Sequence, residues 1–367
     1  MKVLYITNNL FGRDGWSKYS RNLVQPPVSG IDKVVLVQKT DDSCAVRQIA
    51  VMRHPTLYYV YPIFLFLDFL RLTKVIRREK PDIIHILVEP YALFVPFLFG
   101  LSAPIVLTIH GTYAIVPLKK HLTCWFAKMY YRRITLIISV SEYTKAQLLS
   151  VCSFVSDKIV VVHNSVMVQA STPSVRKNSM PIIVSIGGVK ERKGILESIL
   201  AVAKYRDMYG GNFHYYVVGE YSSQDPYVAK VFVSIKEHGL EDNVSLLGFV
   251  SEDEKNRLLM CSSVFMLLSK HTHYDHFEGF GLVYIEANSY GVPTIGPNTS
   301  GAAEAIWHSR SGYCVDIYDT AVIAERLCDI LSRQSITRED CLLWAKKHDI
   351  VQMNRKIFDE YRKICTN

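Results

Sequence analysis

Two carboxylates in the second half of the chain are spaced as in a ligand site. Glu278 lies in a turn between glycines just before a predicted helix, and Glu286 follows about two helical turns later in the segment FEGFGLVYIEA. Glycines let backbone N–H groups approach a ligand, and the start of a helix attracts an anion. Each carboxylate accepts hydrogen bonds from a pair of hydroxyl groups. The segment therefore predicts a site for a ligand that carries hydroxyl groups and phosphate.

The helix that carries Glu286 is predicted to be mostly buried. Its apolar residues include Val283, Ile285, Ala287 and Tyr290. A buried carboxylate needs partners, which favours a binding role for Glu286 over a position on an exposed helix face.

A basic loop follows the first predicted strand of the second half, in SIGGVKERKG. Arg192 and Lys193 stand beside the start of a predicted helix, and Gly187 lies just after the strand. Full charges on these side chains add to the partial positive charge of the helix end, which predicts a cradle for a diphosphate. A solvated charged loop is the alternative. The later segment GPNTSGAAE is a second place where backbone amides can meet phosphate.

Two further candidates follow strands in the first half. Gly12 and Gly15 lie in the loop after the first strand, which lacks the G-x-G-x-x-G pattern of dinucleotide sites. A plain glycine turn remains open there. His110 follows the fourth predicted strand, where an imidazole can hydrogen-bond a hydroxyl or a phosphate, although a lone histidine is more often structural.

A histidine-rich loop before Glu278 raises the question of a metal. It contains His271, His273, Asp275 and His276. The H-x-H-x-x-H spacing matches none of the common metal-binding motifs. We therefore expect no metal site.

Strand-like and helix-like runs alternate along the whole chain. The strands are predicted at 2–7, 33–38, 83–87, 105–109 and 136–140, and again at 181–186, 214–218, 244–247, 264–267 and 293–296. The helices between them include 17–25, 144–152, 194–205, 252–261 and 281–290. This alternation predicts parallel sheets built from βαβ units. A polar stretch at 169–181 is predicted as a linker, giving an α/β protein with two tandem, doubly wound Rossmann-like domains, 1–172 and 178–345.

Composition agrees with a folded, cytoplasmic protein. The 367 residues suit two domains, and the eight cysteines include no C-x-x-C pair, as expected of reduced thiols. The opening MKVLYITNN predicts a strand and not a signal peptide. A net charge of +8 favours anionic partners, but no nucleic-acid motif is present, so we expect no nucleic-acid partner.

Three segments bear on membranes. The apolar run 57–70 is too short for a span and carries Asp68, and the uncharged run 91–109 is broken by prolines and a glycine into a buried helix ending near Gly100 and a strand. The stretch 119–133 is basic and aromatic, with five cations: Lys119, Lys120, Lys128, Arg132 and Arg133. It predicts either an anionic membrane surface as partner or a partly buried helix with solvated lysines.

Together these segments resemble the retaining glycosyltransferases of the GT-B fold, in the family 4 sequence class (glycosyl transferases group 1). FEGFGLVYIEA matches the E-x7-E motif of that family, and GVPTIG with SGAAEAI resembles its next segment. LLGFVSEDEKNRLLMCSSVFMLLS, ISVSEYT and VVHNSV are similar to further family segments. The resemblance covers nearly the whole chain and implies a cleft between the two domains.

The resemblance also implies residue roles. Glu278, His110 and Lys193 would be catalytic, with Glu278 and His110 beside the donor sugar and Lys193 on the diphosphate. Glu286 would hold the ribose hydroxyls. The donor-binding set would comprise Gly12, Gly15, Gly187, Arg192, Lys193, Phe280, Gly281, Leu282 and Glu286. The family usually needs no metal or other cofactor, and its terminal helix, here about 349–367, commonly returns to the first domain.

One departure concerns the diphosphate. The family often has arginine after the first glycine of the second domain, and here that position is Gly188, with Arg192 nearby as a replacement for the charge. The terminal helix is predicted to be amphipathic through Val351, Phe358, Tyr361 and Ile364.

The predicted activity is transfer of a sugar from a nucleotide-diphosphate sugar to a hydroxyl acceptor with retention, in bacterial-type polysaccharide or glycolipid assembly. The acceptor would be a sugar or a lipid-linked sugar, and the location cytoplasmic, with a peripheral position on the inner face of the membrane left open. A non-catalytic, membrane-associated nucleotide-sugar binder and a glycoside hydrolase are the alternatives, but a hydrolase does not explain the phosphate loops. The donor base, the sugar, the linkage and the oligomeric state are not determined by the sequence.

Overall fold

The structure, a computed structural model, describes residues 1–12, 14–98, 100–168, 180–272 and 276–366. The chain divides into two compact units. The first consists of Met1–Met167 with Ile350–Asn367, and the second of Val168–Asp349. Most of the predicted linker, at 169–179, lies outside the described residues.

The first unit is built on a parallel sheet. Its strands are β1 (Lys2–Ile6), β2 (Asp32–Val37), β3 (Arg47–Ala50), β4 (Ile83–Ile86), β5 (Ile105–Ile109), β6 (Leu136–Ser139) and β7 (Ile159–Val161). They pair in the order β3-β2-β1-β4-β5-β6-β7. The central strands are almost wholly buried, since a parallel sheet is covered on both faces. β3 and β7 were not predicted. Because β3 precedes His110 in the chain, the strand before His110 is the fifth and not the fourth.

Helices connect these strands. They are α1 (Gly15–Val24), α2 (Thr56–Val60), α3 (Pro62–Glu79), α4 (Thr112–Lys119), α5 (His121–Arg133) and α6 (Glu142–Val151). The buried helix predicted to end near Gly100 is a 3-10 helix, Glu89–Phe97, followed by β5. No helix within the described residues is long and apolar enough to cross a membrane.

The second unit repeats the architecture. Its strands are β8 (Ile182–Ile186), β9 (His214–Val218), β10 (Val244–Gly248), β11 (Val264–Met266), β12 (Thr294–Pro297) and β13 (Gly312–Val315). Its helices are α7 (Ile195–Tyr209), α8 (Pro226–Glu237), α9 (Glu252–Cys261), α10 (Leu282–Ser289), α11 (Thr320–Leu331) and α12 (Arg338–Lys347). The order β10-β9-β8-β11-β12-β13 is that of a Rossmann sheet, which confirms the predicted α/β class.

The last helix, α13 (Ile350–Thr366), belongs to the first unit. Its buried stripe includes Met353, Ile357 and Tyr361, which are spaced four residues apart and so share one face. The prediction of Val351 on this stripe is wrong, because Val351 is 66% exposed and Ile357 takes the central place. The stripe fixes the end of the chain against the first sheet through the Tyr361 hydroxyl, which hydrogen-bonds the buried ring of His85.

Truncation of this stripe should cost stability. We expect Ile357→Ala to lower the free energy of unfolding by about 2–4 kcal/mol, since it removes buried methyl groups and leaves a cavity. Val351→Ala, on the exposed face of the same helix, should change it by less than about 0.5 kcal/mol. Urea unfolding of both variants measures the difference. Equal effects at the two positions would contradict the placement of α13.

Candidate functional site

The predicted ligand residues of the second unit follow adjacent strands. Lys193 comes after β8 and Glu278 after β11, and these strands are neighbours at the point where the strand order reverses. Loops at the carboxyl ends of parallel strands meet at one edge of the sheet, and the reversal opens a crevice between them. The Lys193 ammonium donates a hydrogen bond to the Glu278 carboxylate at 2.6 Å, and both side chains are mostly buried.

Backbone geometry directs Lys193 toward that edge. A 3-10 turn, Glu191–Lys193, ends at Gly194, whose φ of 65° lies in the left-handed region. A Cβ on Gly194 would lie 1.8 Å from the Leu268 carbonyl oxygen, so no other residue fits there. The aliphatic stem of Lys193 passes over Gly187, where a Cβ would be 3.5 Å from it. The turn therefore ends at Gly194 and packs the stem of Lys193 against Gly187.

The turn that carries Glu278 is fixed in a similar way. Gly281 precedes α10 with φ 85°, and a Cβ there would meet the Tyr284 ring at 2.7 Å. Phe280 is buried, and Leu282 opens the helix. The first N–H groups of a helix have no acceptor in the preceding turn of that helix, which makes the start of α10 a suitable place for an anion.

The second predicted anion loop lies directly beside this turn. The backbone N–H of Gly301 donates to the Glu278 carbonyl oxygen at 3.1 Å. A Cβ on Gly301 would lie 2.0 Å from the Gly279 carbonyl oxygen, so the two loops touch through their backbones. The loops that follow β8, β11 and β12 thus form one continuous polar edge.

The charge state of Glu278 follows from its surroundings. Burial alone would raise the pKa of the Glu278 carboxyl, but the Lys193 ammonium, its hydrogen bond and the nearby charge of Arg192 hold that pKa below its usual range. Glu278 is therefore ionised at neutral pH. Arg192 is exposed in the same loop, where it can add the charge that Gly188 lacks.

Glu286 has a partner that the sequence analysis did not identify. Lys255 on α9 donates to the Glu286 carboxylate at 3.3 Å and also contacts Glu252. Burial would lower the pKa of Lys255, but the two carboxylates raise it. Lys255 lies in the segment SEDEKNRLL, which the family resemblance had included without giving it a role. A carboxylate offers about four lone-pair sites, so the mostly buried Glu286 can accept hydroxyl groups beside its contact with Lys255.

In the first unit, His110 is held by groups that follow the neighbouring strand β4. The His110 ring Nε2–H donates to the Leu87 carbonyl oxygen at 2.9 Å. The backbone N–H groups of His110 and Gly111 both donate to Oε1 of Glu89, at 2.5 and 3.2 Å. Glu89 is buried, and its second oxygen has no hydrogen-bond partner among the described residues. With Nε2 committed to Leu87, a neutral ring presents Nδ1 as an acceptor.

A buried polar network supports that histidine. The Tyr19 ring meets the His110 ring edge to face at 4.7 Å, and the Tyr19 hydroxyl bonds the Thr108 hydroxyl at 3.1 Å. Thr108 in turn bonds Nε2 of His85 at 2.8 Å, and Tyr361 bonds its Nδ1. Burial, with a smaller contribution from His110, lowers the pKa of His85 to about 3, so its ring is neutral. Glu89, Tyr19 and His85 were missed because nothing local in the sequence marks them.

The glycine loop of the first unit leads into a capped helix. Asp14 accepts the backbone N–H of Ser17 at 3.0 Å and its hydroxyl at 2.7 Å, which caps α1. A Cβ on Gly12 would collide with these capping groups, whereas Gly15 has open space around its Cα. Gly12 is thus required by the cap, and Gly15 leaves room at the helix start.

No metal cluster is arranged within the part of the chain that the structure describes. His273 and Asp275 of the histidine-rich loop lie outside it. The His271 ring bonds the Thr299 carbonyl oxygen at 3.1 Å and stacks on Phe277. His271 therefore has a structural role that does not require a metal.

Comparison with known proteins places these units in a family. The model of glycosyl transferases group 1 matches residues 169–348, and that of glycosyltransferase family 4 matches residues 20–169. Together they cover most of the chain. This chain belongs to the family 4 glycosyltransferases.

Similar glycosyltransferases come from several bacteria. The N-acetyl-alpha-D-glucosaminyl L-malate synthase of Bacillus anthracis is 25% identical over 73% of this chain and 70% of its own length. The amylovoran biosynthesis glycosyltransferase AmsK of Erwinia amylovora is 30% identical over 39% of this chain and 34% of its own. Anabaena HepE, solved in complex with UDP, shares the fold with a TM-score of 0.76. It is 16% identical in sequence, and the match covers 99% of this chain and 100% of HepE.

The ion pair of this glycosyltransferase should give a distinctive pH dependence. The folded pKa of Glu278 is depressed, so the stability it contributes is present above its unfolded pKa of about 4.3 and is lost as pH falls through the folded value. In Lys193→Met the buried carboxylate loses its cation, which should cost roughly 3 kcal/mol at neutral pH. Burial then raises the pKa of Glu278, so that cost should shrink as pH falls.

Urea unfolding at about pH 5 and pH 8 measures this effect. Lys193→Met with Glu278→Gln should regain most of the lost stability, because no buried charge remains. A cost of Lys193→Met that is the same at both pH values, or that Glu278→Gln does not relieve, would contradict a buried pair.

Glu89 should act through the loop that carries His110. We expect Glu89→Ala to lower the free energy of unfolding by about 2–4 kcal/mol, because two backbone N–H groups lose their acceptor. We also expect kcat/KM for sugar transfer to fall at least about tenfold as His110 moves. Glu89→Gln keeps an acceptor oxygen and should retain most of the stability and most of kcat/KM. Asp359→Ala, which removes an exposed carboxylate, is the control, and similar behaviour of the Ala and Gln variants would refute the positioning role.

Proposed function

We propose that this glycosyltransferase moves a sugar from a nucleotide-diphosphate sugar to a hydroxyl acceptor, with retention at the anomeric carbon and without a metal. The observation that carries the proposal is the buried Lys193–Glu278 pair at the polar edge of the second sheet. An ammonium held beside a helix start suits a diphosphate, and a carboxylate at the same place suits sugar hydroxyl groups.

The reaction breaks the bond between the anomeric carbon and the diphosphate oxygen. Negative charge builds on that oxygen, and Lys193, Arg192 and the start of α10 stabilise it. The acceptor hydroxyl bonds to the anomeric carbon on the face that the diphosphate leaves, and its proton passes to the departing phosphate. This order gives retention without an enzyme nucleophile, so Glu278 serves to bind the sugar and to keep Lys193 in place.

The nucleoside end of the donor is assigned to Glu286. Its carboxylate would accept the two ribose hydroxyl groups, while the contact with Lys255 orients it. The UDP bound to Anabaena HepE supports a uridine nucleotide as the first donor to test. In the first unit, Nδ1 of His110 would accept from a hydroxyl of the donor sugar.

The acceptor belongs to cell-surface carbohydrate assembly. The name of the Erwinia relative supports polysaccharide synthesis, and the sugar or lipid-linked sugar that such synthesis extends would be the acceptor. A lipid-linked acceptor would place the enzyme in the cytoplasm, peripheral to the inner face of the membrane.

A thermal-shift comparison of nucleoside monophosphates and diphosphates tests the donor site. A ligand that binds only the folded chain stabilises it and so raises its melting temperature. At a ligand concentration one hundred times the Kd, the stabilisation is about 2.7 kcal/mol. We expect Glu286→Gln to lose the rise in melting temperature with both ligands. Lys193→Met should lose only the additional rise that the diphosphate gives over the monophosphate. Glu325→Gln, which alters a partly exposed carboxylate on α11, should behave as the parent.

Transfer itself is measured by release of nucleoside diphosphate from nucleotide sugars when acceptors are added, and retention by the anomeric configuration of the product. Nucleotide stabilisation without turnover on any acceptor would favour the non-catalytic binder. Absence of stabilisation by every nucleotide would overturn the donor-site assignment.

A further inference from the structure

Helix α3 is apolar on two sides. Leu72, Val75 and Ile76 are buried against the first unit. On the opposite side Ile63 and Phe66 are more than half exposed. A helix that is apolar all round is normally enclosed by protein, so the outer side of α3 lacks an expected cover among the described residues.

The exposed side of α3 changes character along its length. Ile63, Phe66, Leu70, Lys74 and Arg77 are all exposed and follow one another at three- and four-residue steps, so they form one stripe. The stripe is apolar in its first turns and basic in its last turns. We call these five residues the α3 stripe.

Exposed apolar residues continue from the stripe onto neighbouring elements. The ring of Phe69 lies 5.8 Å from that of Phe97, which lies 5.9 Å from that of Phe126 on α5. Beyond this row, α5 exposes Leu122 and Trp125, which are 96% and 70% accessible. The α3 stripe and the outer side of α5 therefore belong to one apolar surface, and patches of that kind mark binding sites.

The charges beside this surface have a single sign. The only acidic residues of α3 are Asp68 and Glu79, and both are buried in ion pairs. The sequence from residue 90 to residue 141 contains no aspartate or glutamate. Lys119, the last residue of α4, and Lys120, which follows it, are exposed. Among the described residues of α3 and of the stretch 90–141, the exposed charges beside this apolar surface are thus all basic.

We propose that this surface docks on an anionic lipid bilayer, with α3 lying in the plane of the interface. Its apolar turns would enter the boundary between headgroups and acyl chains, and Lys74, Arg77, Lys119 and Lys120 would meet the lipid phosphates. Docking rests on the proposed function only in that a lipid-linked acceptor would lie in the bilayer. Binding to the bilayer itself requires no turnover.

A second copy of the chain fits this surface less well. A contact between two copies through this surface would gather Lys74, Arg77, Lys119 and Lys120 of both chains in one interface, where neither α3 nor residues 90–141 offer an exposed acidic side chain to pair with them. Two of the cations singled out in the sequence have intrachain roles, because Arg133 donates to the Leu98 carbonyl oxygen and Arg132 lies over the Phe154 ring. The membrane contact is therefore assigned first to the α3 stripe, whose exposed apolar and basic side chains share one face.

Vesicle sedimentation of the full chain tests the proposal. We expect the parent to bind vesicles of phosphatidylcholine mixed with phosphatidylglycerol and not phosphatidylcholine alone. Phe66→Gln with Leu70→Gln should weaken binding at least about tenfold, and so should Lys74→Gln with Arg77→Gln, whose effect should vanish at high salt. Matched controls in the second unit are Val233→Gln with Leu343→Gln and Lys204→Gln with Lys230→Gln, all at exposed positions.

Circular dichroism and melting temperature in the absence of ligand show whether each variant is folded, so the result does not depend on the donor assignment. The proposal is overturned if the parent binds no anionic vesicle, or if a control pair weakens binding as much as the α3 pairs. It is also overturned if light scattering shows a parent dimer that Phe66→Gln with Leu70→Gln dissolves, since a second copy would then cover the surface.

Discussion

A parallel strand delivers its following loop to one edge of the sheet only, and this constraint organises the molecule. In each unit the strand order reverses beside the first strand of the sheet, so the loops after β1 and β4, and after β8 and β11, diverge and leave a crevice. Residues far apart in sequence, such as Lys193 and Glu278, become neighbours for this reason. The glycines then set the detail, because Gly194 and Gly281 adopt backbone conformations that bring side chains and N–H groups toward the edge.

The edge of the second sheet is held together by opposite charges that are out of water. Glu278 stays ionised because Lys193 and Arg192 offset the cost of its burial. In a family 4 glycosyltransferase this arrangement has a consequence for the donor. In the proposed reaction an arriving diphosphate would find Lys193 already oriented and desolvated, and a sugar hydroxyl would find an ionised acceptor beside it. Preorganisation of this kind lowers the reorganisation that the reaction would otherwise require.

The strong periodicity of the chain made its class predictable, since buried strands of a parallel sheet are short, β-branched runs. β3 escaped because Arg47–Ala50 is a half-exposed edge strand with little apolar sequence, and the short strands β7 and β13 were missed as well. Within the site, Glu278 and Glu286 stood out through their glycines and spacing. Lys255 and Glu89 did not, because their importance comes from partners 31 and 21 residues away. A tertiary contact of that kind leaves no local pattern in the sequence.

Asp68 shows that a sequence alone does not reveal which side of a helix faces solvent. In the run 57–70 it argued against a membrane span, because a charge among apolar residues is costly in hydrocarbon. In the folded chain that charge lies inside the first unit and not on the outer side of the helix. Asp68 is fully buried, where it pairs with Arg53 at 2.5 Å and accepts the Tyr58 hydroxyl at 3.0 Å, while Phe66 and Leu70 face outward. Burial of the carboxylate is thus what fixes the rotation of α3, and that rotation leaves its remaining apolar side without a protein partner among the described residues.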